Sequence, residues 1–503
     1  SRNEMMEEYH TNLSWFYKPP SSESQSQNSD SSVQLPTEPF EPVSISISQF
    51  TATTQFGYKA EQLDAPEILT YISMSGQKRL EKIREEVAAL NPATSGERRA
   101  LVLLRIEERL AQKISPSEQL YLENEVVRLF ETSSYDESKA MRLMLDNKKG
   151  QTSQLFQLVY DHVSPEASQR ILRAINQRAQ EAYEKDKENF QFFYSIYSDL
   201  DDTIMPTLND RDTQAQGKNG LYPGASELFE GLLGESSFHE MGTRFTALSA
   251  RPEQMKRLSD FLLSKKLGGI PFHSLYGTGE ASLKAIKHYS MGKLAAKTKS
   301  EGGKTFAKNT GSEAYSAFAI DKRRNMDRDL LLWPEAIPFM LGDSGEGDFM
   351  CMLMKCNGQP TPELLEDPRI PEELKVGDKP WGKERKEEPV NRCDRPLKFF
   401  LVHQLTSLEK SAETSYSSIP NPNEINSGKL SKTHSVHLFR NYVDLAEILF
   451  NNKILSETHF QSVIEAAKNW LDKDKISKLL PTSPALSYRQ ELIKSILRIE
   501  DKK

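Results

Sequence analysis

Cysteine is almost missing from this chain. There are three in 503 residues, Cys351, Cys356 and Cys393. So few, and an odd number, exclude a disulfide framework and point to a reducing compartment. Cys351 and Cys356 have no histidine close by, so they read as buried thiols and not as part of a zinc site. Long apolar runs are missing too: none approaches the roughly eighteen residues that span a bilayer. The opening segment SRNEMMEEYHTNLSWFYKPP carries no basic stretch followed by an apolar core, which predicts no secretory leader. Charge of one sign is scarce. The net charge is −7 and is spread along the chain, so nothing asks for nucleic acid as a partner. Several short catalytic motifs are absent: there is no G-x-S-x-G elbow and no H-E-x-x-H. EGGKT is not a phosphate loop, because Thr298 stands five positions before Gly303, where a glycine is needed. His239, His273 and His288 are scattered and are expected to be structural or exposed.

What is present has a clear order. The composition, 37% apolar and 27% charged, is that of a polar, soluble chain, and the length allows about two to four domains. Residues 1–60 are expected to be largely disordered, because PPSSESQSQNSDSSVQLPTEPFEP (19–42) cannot bury enough apolar surface to fold. Within them VSISISQF (43–50) alternates like a short edge strand. Residues 61–190 turn helical. Leu80, Ile83, Val87 and Leu90 repeat on one face, Thr94 with Glu97 and Ser115 with Glu118 fit capping boxes, and Pro116 and Pro165 suit first helical positions. From 191 to 358 apolar strands alternate with helical stretches, in FFYSIYS, RFTALSA and AIPFMLG, which predicts a parallel α/β sheet. Residues 359–395 read as a linker or long loop. LKFFLVHQL is a further strand candidate, and the rest of 396–503 reads as mostly helical, including HLFRNYVDLAEILFNN. No internal repeats occur.

The stretch FFYSIYSDLDDTIMPT (192–207) places Asp199, Asp201 and Asp202 directly behind a buried strand. Ligands of parallel α/β sheets bind beyond the carboxyl ends of the strands. Carboxylates crowded there repel one another, and Mg²⁺ is the natural compensation. One of them can attack phosphorus, and another two positions later can protonate the leaving oxygen. The plain alternative is an acidic turn capping a helix. Three further stretches add chemistry: RFTALSARP ends a strand in Ser249, AIPFMLGDSGEGD ends one in Gly342-Asp343-Ser344-Gly345, and Lys322 opens a helix-length segment before the latter. Gly342 and Gly345 permit the tight turn that a metal-facing Asp343 needs.

This chain order resembles the haloacid dehalogenase (HAD) phosphohydrolase superfamily. The first motif DLDDTIMPT, the segment YPGASELFEGLL, the serine-ended second strand and LGDSGEGD with Asp348 resemble one branch of it, the phosphatidate phosphatases of the yeast actin-patch-associated type. The resemblance covers roughly residues 192–357. It implies a HAD-like, Rossmannoid parallel sheet flanked by mostly helical regions. It also implies a Mg²⁺-dependent phosphatase working through an aspartyl phosphate. By it Asp199 would be nucleophile and metal ligand, and Asp201 the general acid/base with its carbonyl a further ligand. Asp343 would complete the metal site, and Ser249 and Lys322 would hold the phosphoryl group. Thr203 would hold the turn, while Asp202, Ser344 and Asp348 would stand behind these as substrate-binding residues, supports or weak ligands. Arg251 replaces a small hydroxyl residue usual in the family, and reads either as a ligand for a second anionic group or as a surface residue.

Phosphatidate or a related phospholipid is the substrate the resemblance implies. A soluble or protein phosphoester, or a catalytically silent scaffold binding a protein partner through its helical flanks, is the alternative. Leu283 to Lys308, inside an insertion at about 278–316, carries seven lysines and one glutamate. It reads as a solvated insertion or as a basic lid meeting anionic lipid, each charge contributing on the order of 1 kcal/mol near such a surface. A cytoplasmic protein peripheral to membranes is expected, with a bacterial protein delivered into a host cell as the alternative.

Overall fold

The computed structural model describes residues 76–90, 92, 94–146, 153–200, 202–206, 217–234, 243–252, 260, 264–265, 272–277, 301–343, 347–356, 362–375, 399–403, 435–472 and 484–502. The expected disordered segment, the strand at 43–50, Asp201, Ser344 and residues 283–300 of the basic stretch lie outside these.

The first half is helical: α1 (Gly76–Ala89), α2 (Ser95–Leu110), α3 (Pro116–Glu131), α4 (Tyr135–Leu145), a short helical turn over Gln154–His162, and α5 (Pro165–Lys185). Leu80, Ile83 and Val87 turn one face of α1 inward, whereas Leu90, just past its end, is 41% exposed. Thr94, Ser115 and Ser164 each accept a hydrogen bond from an orphan amide of the next helix, and Pro116 and Pro165 occupy its first turn. The expected box at Ser115 forms only by half. Glu118 does not reach back to the cap but accepts two bonds from the Arg109 guanidinium, at 2.8 and 3.1 Å. The complete box is at Ser134 and Glu137.

The second half builds one six-stranded sheet, parallel throughout: β1 (Phe193–Ser198), β2 (Arg244–Pro252), β3 (His273–Gly277), β4 (Ala336–Asp343), β5 (Phe399–His403) and β6 (Ser435–Phe439), in the order β3-β2-β1-β4-β5-β6. The longer helices of this half are α6 (Ala225–Gly234), α7 (Glu301–Leu332), α8 (Asp348–Cys356), α9 (Tyr442–Asn451), α10 (Glu457–Leu471) and α11 (Pro484–Glu500), with short helical turns at Lys218–Gly220, Pro362–Leu365 and Glu372–Leu374. The expected parallel α/β class is therefore present, with two strands that the sequence did not announce. β3 is only five residues long, and His437 to Phe439, the last three residues of β6, read in sequence as the start of a helix. That helix begins later, because Asn441 caps it by accepting from the amides of Val443 and Asp444, leaving His437 to Phe439 extended.

Side-chain alternation along β1 divides the interior. Phe193 and Tyr197 join a core with α1–α5, Trp333 and residues of α7 and α8; Tyr194 and Ile196 join a core with α6 and α9–α11. Helices therefore cover both faces of the sheet, and the N-terminal helices share the first core. Within the stretch read as a linker, residues 362–375 are packed: Leu364 and Ile370 are fully buried, Asp367 pairs with Arg328, and the Pro368 carbonyl accepts from Gln169 at 2.7 Å. Among the described residues, no helix is long and apolar enough to cross a membrane.

Candidate functional site

The strand order reverses direction at β1 and β4, and the crevice beyond the carboxyl ends of such a pair is where parallel α/β sheets place ligands. Asp199 follows β1 there, with its amide donating to the Leu341 carbonyl of β4 at 3.0 Å. Asp343 is the last residue of β4. The chain then turns back through Gly347, at φ +89°, into α8, whose first residue is Asp348. Asp348 Oδ2 accepts from the Asp343 amide at 3.3 Å. This approach explains Gly342 better than a tight turn does: a Cβ added there would lie 2.7 Å from the Asp348 Cβ. Gly345 lies outside the described residues.

Asp199, Asp343 and Asp348 are all buried, and one carboxylate oxygen of each lies within 4.8 Å of the others. Clustered carboxylate oxygens are the hard donors that Mg²⁺ prefers, so these three residues are the ones that would hold such an ion. Lys322 reaches the same place from α7. Its Nζ donates to Asp199 Oδ1 at 2.7 Å and to Asp348 Oδ1. These four described side chains, three carboxylates and one ammonium, sum to −2. The hard oxygen donors and the charge both suit a divalent cation. Burial disfavours the charged form of Lys322, but Asp199 and Asp348 outweigh it and hold the ammonium well above the ordinary lysine value. It stays charged.

Lys322 does not begin its helix; it sits far along α7. Nor do Lys322, Arg323 and Arg324 form a solvated face, since all three are buried. Arg323 pairs with Asp327, which also takes Lys355 at 2.5 Å, and Arg324 pairs with Asp321 at 3.1 Å. Ser249 is 5% exposed and lies on β2, two residues past Ala247, the ladder partner of Ser198. It therefore occupies the same sheet edge as Asp199. Arg251 lies in β2 just beyond it. Asp202 and Thr203 form the turn that follows Asp199. Asp202 adopts φ +56°, and its amide donates to the Met205 carbonyl at 2.8 Å. Thr203 is buried, and its carbonyl accepts from the Tyr442 hydroxyl at 2.9 Å.

Three residues at the site had less weight, or none, in the sequence. Asp348 stood as a support or weak ligand, yet it completes the carboxylate cluster that the described residues form. His403, at the end of β5, is the ladder partner of Asp343, and its Nδ1 lies 2.8 Å from the Asp202 carbonyl oxygen. A polar residue closing a buried parallel strand was a usable signal for it. Tyr442 offered none. No protein-family model, no curated protein and no solved structure matches the chain.

Proposed function

We propose that the chain is a Mg²⁺-dependent phosphomonoesterase of the HAD type, acting through an aspartyl phosphate on phosphatidate or a related phospholipid. The observation that carries this reading is the convergence of Asp199, Asp343, Asp348 and Lys322 at the carboxyl edge of β1 and β4.

Asp199, Asp343 and Asp348 are the residues that would hold Mg²⁺. The ion would neutralise phosphate charge and stabilise the negative charge that develops as the ester bond breaks. Asp199 is the nucleophile: one carboxylate oxygen forms a bond to phosphorus as the bond to the leaving alkoxide oxygen breaks. Asp201, two residues on, donates the proton that the alkoxide takes. It then accepts a proton from water, which attacks phosphorus and returns Asp199 to its carboxylate form with inorganic phosphate as product. Lys322, an ammonium already bonded to Asp199, would meet an arriving phosphoryl oxygen and offset its charge. Ser249, on the neighbouring strand at the same edge, supplies a hydroxyl donor. The lipid substrate rests on the family resemblance and on the lysine-rich stretch between Leu283 and Lys308.

Phosphate release from phosphatidate-containing vesicles and from soluble phosphomonoesters, each with Mg²⁺ and with chelator, tests the reading. Wild type is expected to act on the vesicles only with Mg²⁺, and Asp199→Asn to lose at least about 1,000-fold in kcat with its circular dichroism unchanged. Full turnover by Asp199→Asn would reject the nucleophile. Action on soluble esters alone would reject the lipid.

A further inference from the structure

The turn behind Asp199 is held from the far end of the chain. Asp202 sits in the left-handed region at φ +56°, a conformation that a non-glycine residue keeps only where its surroundings enforce it. Inside the turn, the amides of Ile204 and Met205 both donate to the Leu200 carbonyl at 3.1 Å. The carbonyls of Asp202 and Thr203 point outward, and each meets a side chain of the C-terminal region. His403 lies on the Asp202 carbonyl at 2.8 Å. Tyr442, in the first turn of α9, donates its hydroxyl to the Thr203 carbonyl at 2.9 Å.

Both side chains are themselves immobilised. His403 is 1% exposed, stacks on Phe439 with ring centroids 4.9 Å apart, and meets the edge of Tyr222 at 4.8 Å. Tyr442 is fully buried between Tyr222 and Phe439. The second ring nitrogen of His403, Nε2, faces the Arg440 carbonyl at 3.3 Å. Burial disfavours the charged ring and keeps this imidazole below its ordinary value. Of the two contacts, the one made by Nδ1 is the shorter.

We infer that His403 and Tyr442 are positioning residues, which clamp the backbone carbonyls of Asp202 and Thr203 and so hold in place the turn that follows Asp199. The inference rests on the proposed phosphatase reaction for its consequence, but the clamp itself is a statement about backbone mobility. It makes the C-terminal region part of the site, because β5, β6 and α9 carry the clamp while the carboxylates come from β1, β4 and α8.

Two measurements test it. The first is amide hydrogen exchange, compared peptide by peptide in wild type, Tyr442→Phe and His403→Gln. Exchange is expected to rise in the segment spanning Asp199 to Pro206 and to stay at wild-type levels in β2, β4 and α2. The second is steady-state kinetics. Tyr442→Phe removes one oxygen and is expected to lower kcat about tenfold with KM unchanged, since misplacing a reacting group costs turnover more than binding. The amide nitrogen of asparagine can replace Nδ1 as donor, whereas that of glutamine stands where Nε2 was. His403→Asn is therefore expected to keep most of the wild-type kcat and His403→Gln to lose about 100-fold. Equal kcat in the two His403 variants, a KM effect alone, or unchanged exchange in the turn overturns the inference. If wild type releases no phosphate from any ester, the phosphatase reading fails and the clamp stands or falls on the exchange data.

Discussion

The two ends of the sheet carry buried charge in opposite ways. At the amino end, Arg142 binds Glu335 through two nitrogens at 2.6 and 2.8 Å and also donates to the Leu332 carbonyl at 3.0 Å. Arg244 pairs with both Asp146 and Asp329, and Tyr197 adds a bond to Asp329 at 2.7 Å. Trp333 lies between the two guanidinium groups, 5.0 and 5.2 Å from their carbons. Each carboxylate there faces a guanidinium. At the carboxyl end, three described carboxylates face one ammonium. Buried ions are costly unless paired; the first cluster, with three carboxylates to two guanidinium groups, pairs every carboxylate and fastens the N-terminal helices to the sheet. The second, among the described residues, gathers three carboxylates around one ammonium, a donor set that suits a divalent cation. Charge density alone does not separate the two clusters; the proportion of carboxylates to cations does.

The comparison can be broken from either end. Asp343→Asn is expected to reduce phosphate release by at least about 1,000-fold while the metal-free chain melts no lower than wild type, because a like charge has left a crowded cluster. Glu335→Gln should do the reverse: it leaves Arg142 buried without its counter-ion and costs about 3–5 kcal/mol in denaturant unfolding, with kcat per folded molecule preserved. Loss of turnover by Glu335→Gln in a fully folded chain would erase the distinction. Mg²⁺ at about 100 times its Kd should stabilise wild type by about 2.7 kcal/mol in a thermal melt, and Asp343→Asn by far less.

Acidity should act through burial at several places. His273, His403 and His437 are all held below the ordinary 6.5, in each case first because burial disfavours the charged ring. The unfolded chain then binds protons that the folded chain refuses. Stability is complete above about 6.5 and declines as pH falls below it, on the order of 1 kcal/mol per unit for each ring. Burial pushes the Glu335 carboxyl up, but Arg142 pulls it below 4.5 overall. Its contribution is present above 4.5 and is lost on further acidification. Urea unfolding from pH 8 to about pH 2 reads both. The smallest effect is expected at Cys351, on the helix that carries Asp348. Burial pushes its thiol up to about 12, so iodoacetamide at pH 8 should leave it unlabelled in the folded chain and label it in urea.

Much of this was legible in sequence, for physical reasons that differ by element. β1, β2, β4 and β5 declared themselves as apolar runs, since strands buried on both faces need no polar side. β3 was too short to stand out, and β6 carries a histidine and runs almost directly into a capped helix. Asp199, Asp343 and Lys322 could be singled out because strand ends and chain spacing are one-dimensional quantities, and the structure brings the three together. Asp348 was undervalued because its approach depends on the missing side chain of Gly342. His403 and Tyr442 act on carbonyls 201 and 239 positions away, and no local pattern encodes a contact made to backbone. The buried charges of α7 misled the reading for a related reason: Lys322, Arg323 and Arg324 resemble a solvated face until their partners, spread over several elements, are known.

The pairing of Arg142 with a glutamate 193 residues later has a temporal consequence. During synthesis the N-terminal helices leave the ribosome with their inner faces bare, since much of the core that covers them belongs to α7, β4 and α8. Such long-range contacts slow folding and leave early segments open to misassembly. The clamp on the Asp202 carbonyl arrives later still. A nascent chain stopped before β5 would hold Asp199, Asp343 and Asp348 without the contacts that His403 and Tyr442 make to the turn after Asp199.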